Sequence, residues 1–412
     1  MSQVALERSL RLYSLYVPLS RLYAFKAPVF FLYFMERFPI DRVLQLEAIY
    51  YFAVVTLEVP SGYLSDRFSR SRVLQISALA SAASAALFLL GGDSFALFAA
   101  AQVAFATSYS FASGTDTAYH YDTLAGLGRQ DEYAARESIL ARNGLLATAA
   151  AALGGGIAGV FDLRFAYVLV LIACLASVAV TLGFGEPPTA SHGTRVAGPL
   201  RQLRDCFDQL RRPALAWLFA YVLLQVSLEH VPYEFIQPYV AVVMGEHAGA
   251  VQNTPLVVGV LSSVVAVVGS LAAANSLRLR SAFGITGALL GVTALQALLI
   301  SLMGAVAHLA VIPLLLLRSV HPAVSNVLVR AEITPRIPQQ LRATYLSLHS
   351  LGGRLGFSAV LFSLSVLVGE GQKPEAETLS TLLRACALLA AVGLAWLAIT
   401  SRALREEASP GA

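Results

Sequence analysis

The chain has 412 residues, of which 57% are hydrophobic and only 13% are charged, with a formal net charge of +4. A mean hydropathy of +0.67 excludes a soluble globular domain of this length, whose aqueous surface would need many more polar side chains. The small positive balance does not point to nucleic acid, because the basic residues are dispersed among short loops rather than gathered in a patch.

Apolar stretches long enough to cross a hydrocarbon core of about 30 Å recur along the whole chain. Met1 to Leu12 is polar and too short for a cleavable leader, so the first apolar segment is expected to serve as the targeting signal. Six segments are expected at about 13–36, 42–64, 72–91, 95–124, 138–160 and 163–184. A linker follows over 185–212. Its first part, from Gly185-Glu186-Pro187-Pro188 to Gly198, is rich in turn formers and reads as flexible. In its second part Leu200, Leu203, Phe207 and Leu210 recur at helical spacing behind Pro199. That spacing predicts a short amphipathic helix, lying on the membrane surface or solvated as a linker. Six more segments are expected at about 213–243, 254–277, 281–303, 305–331, 342–368 and 376–401. The chain thus divides into 1–184, 185–212 and 213–412. Cys174, Cys206 and Cys386 are odd in number and scattered, which argues against a disulfide framework and against a metal site.

An even number of spans puts both termini on one side. The loops on that side carry Arg8, Arg11, Arg70, Arg72, Arg129, Arg136, Arg204, Arg212, Arg280, Arg336 and Arg402, among others, whereas the opposite loops carry only Arg37, Arg42, Arg164 and Lys373. Basic residues are retained on the cytoplasmic side, so both termini are expected there.

Between the second and third segments stands Gly62-Tyr63-Leu64-Ser65-Asp66-Arg67-Phe68-Ser69-Arg70-Ser71-Arg72. This stretch resembles the loop signature of the major facilitator superfamily, roughly Gly-x-Leu-Ser/Ala-Asp-Arg-x-Gly-Arg-Arg/Lys. It departs from that pattern at Ser69, where the family has glycine, and at Ser71, where it has a basic residue. The halves also echo one another. Arg136 before segment 5 answers to Arg342 before segment 11, and the signature loop answers to a degraded copy, Asn275 to Arg280, before segment 9. The resemblance implies an all-α integral membrane protein with twelve transmembrane helices in two pseudo-symmetric six-helix bundles. It further implies a cytoplasmic gate made by Gly62, Asp66, Arg67, Arg70, Arg136 and Arg342, in which Asp66 caps segment 11 near Leu341 to Thr344.

In that family segments 1, 4, 7 and 10 line the central cavity. Here these four carry most of the intramembrane charge: Arg21 and Lys26; Asp116, His120 and Asp122; Glu229, His230 and Glu234; Arg318 and His321. Each charge near the bilayer centre costs at least about 2.5–3.5 kcal/mol unless paired or hydrated, so the concentration implies a polar cavity. Lys26, Asp116, Glu229, Glu234 and Arg318 are the candidate substrate contacts, with Tyr23, Tyr109 and Tyr233 as stacking surfaces. Glu229, then Asp116, are the candidate proton carriers. Fixed pairs, Lys26 with Asp116 and Arg318 with Glu229, are the alternative use of the same charges.

The segment-4 arginine common in proton antiporters would fall near Ser110 and is absent, and the segment-5 Gly-Pro signature is reduced to Gly154-Gly155-Gly156, which keeps the flexibility of glycine without the proline. No phosphate-binding glycine loop and no catalytic Ser–His or metal spacing is present, so neither ATP drive, nor an enzyme, nor a cofactor is expected. The expected protein is a monomeric secondary transporter of the cell inner membrane that moves a small organic solute by alternating access, coupled to protons and directed outward. A proton symporter importing an organic anion is the alternative, and a receptor or scaffold without transport a distant one.

Overall fold

The computed structural model describes residues 3–67, 69–188, 199–245, 251–338, 341–372, 375–402 and 404, and these are helical nearly throughout. The chain forms two compact units. The first comprises Met1–Gly193 with Gln252–Ser263, and the second Thr194–Val251 with Val264–Ala412.

In the first unit, α1 (Gln3–Arg21) begins within the polar amino end, ahead of the expected segment. Leu6, Leu10 and Tyr13 recur at helical spacing and are buried at 2–3% exposure, so this stripe folds the amino end onto the bundle. The span then winds through a 3-10 turn, Leu22–Lys26, and breaks at Pro28 before α2 (Phe30–Met35). Proline has no N–H for the helical ladder and fixes its own φ, which ends the turn there. Next come α3 (Ile40–Arg67), α4 (Arg70–Leu90), α5 (Phe95–Ala112), α6 (Thr115–Gly126), α7 (Tyr133–Phe161) and α8 (Leu163–Thr181).

Two sequence readings are corrected in this unit. The fourth segment is not one helix: Gly114 takes φ +76°, a conformation only glycine adopts without strain, and splits it into α5 and α6. The glycines of α7 serve close approach rather than flexibility. A Cβ on Gly155 would fall on the Phe25 carbonyl oxygen, and one on Gly156 would lie 2.6 Å from the Pro255 carbonyl oxygen.

At one end of the unit a cluster of rings closes the bundle. Tyr33 and Tyr167 lie 4.3 Å apart, Phe34 and Phe88 5.2 Å, and Phe38 and Phe98 5.0 Å. The Tyr33 hydroxyl donates to the Phe88 carbonyl at 2.8 Å, so the buried phenol is satisfied. Each such ring pair is worth about 0.5–1.5 kcal/mol beyond its buried area.

The second unit holds α9 (Pro199–Gln209), α10 (Pro213–Gly245), the second half of α11 (Thr254–Ala274), α12 (Ser276–Ala305), α13 (Val311–Leu314), a 3-10 turn at Leu315–Ser319, α14 (Val320–Arg336), α15 (Arg342–Val368) and α16 (Ala376–Thr400). The stretch carrying Arg278 and Arg280, expected as a loop, is the first part of α12, which bends at Gly284 (φ 68°). The amphipathic helix forms as α9, but Cys206 and Leu210 turn toward the core of this unit while Phe207 stays half exposed. The side chains of Leu200 and Leu203 lie outside the described residues. Helix α15 comes close to α10 at its paired glycines, where a Cβ on Gly353 would meet Val226 at 2.5 Å.

Among the described residues ten helices are long and apolar enough to span a membrane on their own. The other two of the twelve spans are the broken α1–α2 segment and α3, whose charges (Asp41, Arg42, Glu47 and Glu58) dilute its hydropathy.

Candidate functional site

Three of the four charge-bearing segments break or tighten where their charge sits. Lys26 ends the 3-10 turn after α1, Asp116 lies in the first turn of α6 just past the Gly114 break, and Arg318 lies in the 3-10 turn before α14. The fourth, α10, carries Pro232 and Pro238 beside Glu229 and Glu234. Irregular backbone is tolerated inside a membrane only where protein or a water-filled cavity satisfies the freed groups.

In the first unit a cavity of about 260 Å³ opens between α1, α4, α5, α6 and α8. Tyr23, Tyr109 and Asp116 line it, together with Arg21, Tyr16 and six serines: Ser20, Ser77, Ser81, Ser108, Ser113 and Ser177. Asp116 accepts the Thr117 N–H at 2.7 Å and is influenced by the charges of Arg21 and Glu137. Lys26 is placed elsewhere: it lies 3.4 Å from the Phe105 ring centroid, and its charge acts on Glu47, a buried acid that accepts a 2.9 Å bond from Gln102. The pairing of Lys26 with Asp116 expected from sequence is thus replaced: the charge of Lys26 acts on Glu47, and that of Arg21 on Asp116.

In the second unit Glu229 is under the influence of Arg318 and Arg354, and Arg318 stands 5.8 Å from the Tyr233 ring. Tyr233 is 38% exposed, whereas Glu234 is fully buried. Deeper in the same unit Tyr221 joins Ser325 at 2.6 Å and Thr293 at 3.1 Å, and Thr293 lies 3.4 Å from His321. Those groups knit α10, α12 and α14 through a buried polar seam.

One end of each unit carries a charge lattice. In the first, Arg70 pairs with Asp122 and donates to the Ala118 carbonyl at 2.8 Å. Arg129 bridges Glu7 at 2.8 Å and Glu132 at 2.6 Å, and Arg136 joins Glu132 at 2.8 Å. These two guanidiniums hold the Glu132 carboxyl down to about 2. His120, 1% exposed, meets Glu137 at 2.7 Å and stacks 4.8 Å from Tyr13. In the second unit Arg280 and Arg336 both pair with Glu332, and Arg212 donates to the Arg336 carbonyl at 2.8 Å. Arg70 with Asp122 and Arg280 with Glu332 are separated by one and the same offset along the chain, a pairing repeated in the two halves.

Glu186 is what the sequence reading missed at this end. Expected in a flexible stretch, its carboxylate accepts the Arg70 N–H at 2.8 Å and the Ser71 N–H at 3.0 Å, capping α4 together with Ser69. The neighbouring Gly185 N–H donates to Ser9 at 3.0 Å, and its carbonyl accepts from Tyr119 at 3.0 Å. Helix α3 runs on through Arg67, so Asp66 sits in its last turn. The side chains of Asp66, Arg67 and Arg342, and whatever surrounds Gly62, lie outside the described residues. Arg21, Glu47 and Arg354 were visible only as isolated charges in apolar segments. The serine ring had a signal in Ser77 and Ser81, one helical turn apart.

A family model for the Major Facilitator Superfamily matches residues 42–361. The chain belongs to that superfamily, and its fold is that of a multi-pass membrane transporter. Among solved structures it is similar to the nucleoside transporter NupG, with a TM-score of 0.76 at 13% identity over 97% of this chain and 99% of that one. A bacterial homologue of the human lysosomal transporter Spinster, inward-facing and occupied, gives 0.72 at 14% identity over 98% of each chain. A D-xylose–proton symporter gives 0.65 at 14% identity over 93% and 97%. No curated protein sequence matches the chain.

Proposed function

We propose that this protein is a secondary active transporter of the cell inner membrane that exports a small polar organic solute by alternating access, driven by protons. It acts as a monomer and without catalysis or cofactor. The observation that carries this reading is the coincidence of intramembrane charge with irregular backbone in segments 1, 4 and 10 and with paired prolines in the unbroken segment 7, the arrangement a hydrated midplane site favours. A proton-coupled sugar symporter sharing the fold supports the coupling by analogy.

Tyr23, Tyr109 and Asp116 are the substrate contacts of the first unit, and Glu229, Tyr233, Glu234 and Arg318 those of the second. Lys26 acts on that cavity from its place beside Glu47. Glu229 is the first proton carrier, because its carboxylate lies within the field of two guanidiniums whose distance any conformational change can alter. Asp116 is the second. Arg70 on Asp122 and Arg136 on Glu132 hold the gate, with Gly62, Asp66, Arg67 and Arg342 completing it.

Flux in reconstituted vesicles tests the proposal. Glu229→Gln should retain substrate exchange and lose uphill transport driven by a pH gradient. A stable Glu229→Gln protein with full proton-driven transport removes Glu229 from coupling, and absence of any solute flux removes transport altogether. Import of an organic anion is the second reading. It is favoured by the buried Arg318 Nε, which among the described residues has no hydrogen-bond partner, and it predicts uptake with the proton gradient rather than against it.

A further inference from the structure

The cavity of the first unit contains one cation and one anion that lie within each other's field but form no direct ion pair. Arg21 and Asp116 both line it, yet among the described residues neither takes part in an ion pair. Each charge inside an apolar bundle needs a partner or water. The remaining lining groups carry no charge, so the cavity as a whole is neutral but polarised.

The hydroxyls add a direction. Ser20 donates to the Val17 carbonyl at 2.8 Å, Ser77 to the Ser108 carbonyl at 2.7 Å, and Ser177 to the Ala173 carbonyl at 3.0 Å. With their protons committed to backbone, these oxygens offer lone pairs to whatever occupies the cavity. Asp116 is likewise an acceptor. Asp116 and these three serine oxygens are therefore acceptors suited to an ammonium or other N–H donor, and Arg21 is the one charged donor of the lining, suited to a carboxylate, beside the hydroxyls of Tyr16, Tyr23 and Tyr109.

Resting on the transporter reading, we infer that the solute is a small zwitterion of the amino-acid type, its carboxylate held by Arg21 and its ammonium by Asp116 and the serine oxygens. An organic anion would leave Asp116 opposing it, and a simple cation would be opposed by Arg21. A neutral sugar or nucleoside brings no charge to either group, and so would use the polarity of the cavity less fully than a zwitterion. The volume of about 260 Å³ admits a molecule of that size.

The test uses the full chain purified in detergent and its thermal stability in the presence of millimolar probes. The probes are the free proteinogenic amino acids, their N-acetyl derivatives (anions), their methyl esters (cations), and glucose and uridine as neutral controls. At least one free amino acid should raise the melting temperature by several degrees, while its acetylated and esterified forms do not. Arg21→Gln and Asp116→Asn should each weaken that binding about tenfold or more, the loss expected for one charge-assisted bond. Arg21→Lys and Asp116→Glu, which keep the charges, should retain part of it and guard against a variant that merely fails to fold. The inference is overturned if no free amino acid stabilises the protein. It is overturned equally if a singly charged or neutral probe binds as well, or if the charge-removing variants bind like the wild type. Counterflow of the bound amino acid in vesicles separates the two readings: binding without flux leaves the ligand class standing and defeats the transporter reading.

Discussion

At the scale of single residues, the side chains that organise the charged end of the first unit are acids receiving hydrogen bonds. Glu186 satisfies two amide N–H groups at the start of α4 that no intrahelical carbonyl can reach. Glu186→Gln keeps the shape but halves the acceptor character, and Glu186→Ala removes it. The loss should be about 1–2 kcal/mol for the alanine variant, in the range of helix caps, with the glutamine variant between it and wild type. Thermal denaturation of the purified variants checks the order, and an alanine variant as stable as wild type would mean that Ser69 alone suffices as the cap. Glu132 supplies a pH dependence. Its carboxyl is held down to about 2 by hydrogen bonds from Arg129 and Arg136, below the ordinary glutamate value near 4.5. A depressed folded value means that the stabilisation is complete above the unfolded value and fades as pH falls toward the folded one. The stability gap between wild type and Glu132→Gln should therefore be constant through neutral and mildly acidic pH, and close only as pH falls from about 4.5 toward 2. A gap that closes already near neutrality would contradict the pairing.

At the scale of elements, the places where helices touch were legible as small residues, but the sense of those residues was not. Gly352-Gly353 reads as a close-packing surface and is one, against Phe219, Leu223 and Val226 of α10. Gly154-Gly155-Gly156 reads as a flexible point left by a missing proline, yet a methyl group on Gly155 would collide with backbone, the one neighbour that cannot rotate away. Sequence shows that a glycine lacks a side chain, and only the fold shows what occupies the vacated space. Gly155→Ala should therefore destabilise by about 1–3 kcal/mol or more, as overpacking does. Gly291→Ala, in an α12 position with nothing within 4 Å, should be neutral or stabilising by up to about 1 kcal/mol from helix propensity. Melting temperatures of the pair decide the matter, and equal effects would refute the packing argument. The helix breaks were legible to different degrees for a similar reason. Pro28 carries the chemistry of a break although segment 1 reads as one span over 13–36, whereas Gly114 is one glycine among 30 and declares its φ only in the structure. The site shared this limit. The charges of segments 1, 4, 7 and 10 stood out as costly residues in apolar surroundings, but their partners did not. Lys26 comes into the field of Glu47, and Asp116 into that of Arg21, because of register between helices, which no spacing within one helix encodes.

At the scale of the whole molecule, the distribution of arginine sets the orientation in the membrane. The end of the first unit bearing Arg70, Arg129 and Arg136 also carries the amino-terminal turn of α1, through the bond between Arg129 and Glu7. Arg37, Arg42 and Arg164 occupy the turns around α2, α3 and α8 at the opposite end. Arginines near membrane-spanning segments are retained in the cytoplasm, so the first set and the amino terminus are expected there. The native cysteines, Cys174, Cys206 and Cys386, are all at or below 5% exposure and should contribute little background to labelling by a charged maleimide. Single cysteines at Ser191 in the linker and at Arg402 should then be labelled only after the cytoplasmic face is opened. Asp93→Cys and Glu370→Cys, both exposed in turns between spans, should be labelled in intact right-side-out cells. Ser191 and Arg402 are each separated from Asp93 and from Glu370 by an odd number of spans, so one membrane orientation must satisfy all four results together. Labelling of Ser191→Cys or Arg402→Cys from outside would invert the orientation. Labelling of only one of them from outside would break the even span count, and with it the twelve-helix topology on which the alternating-access reading depends.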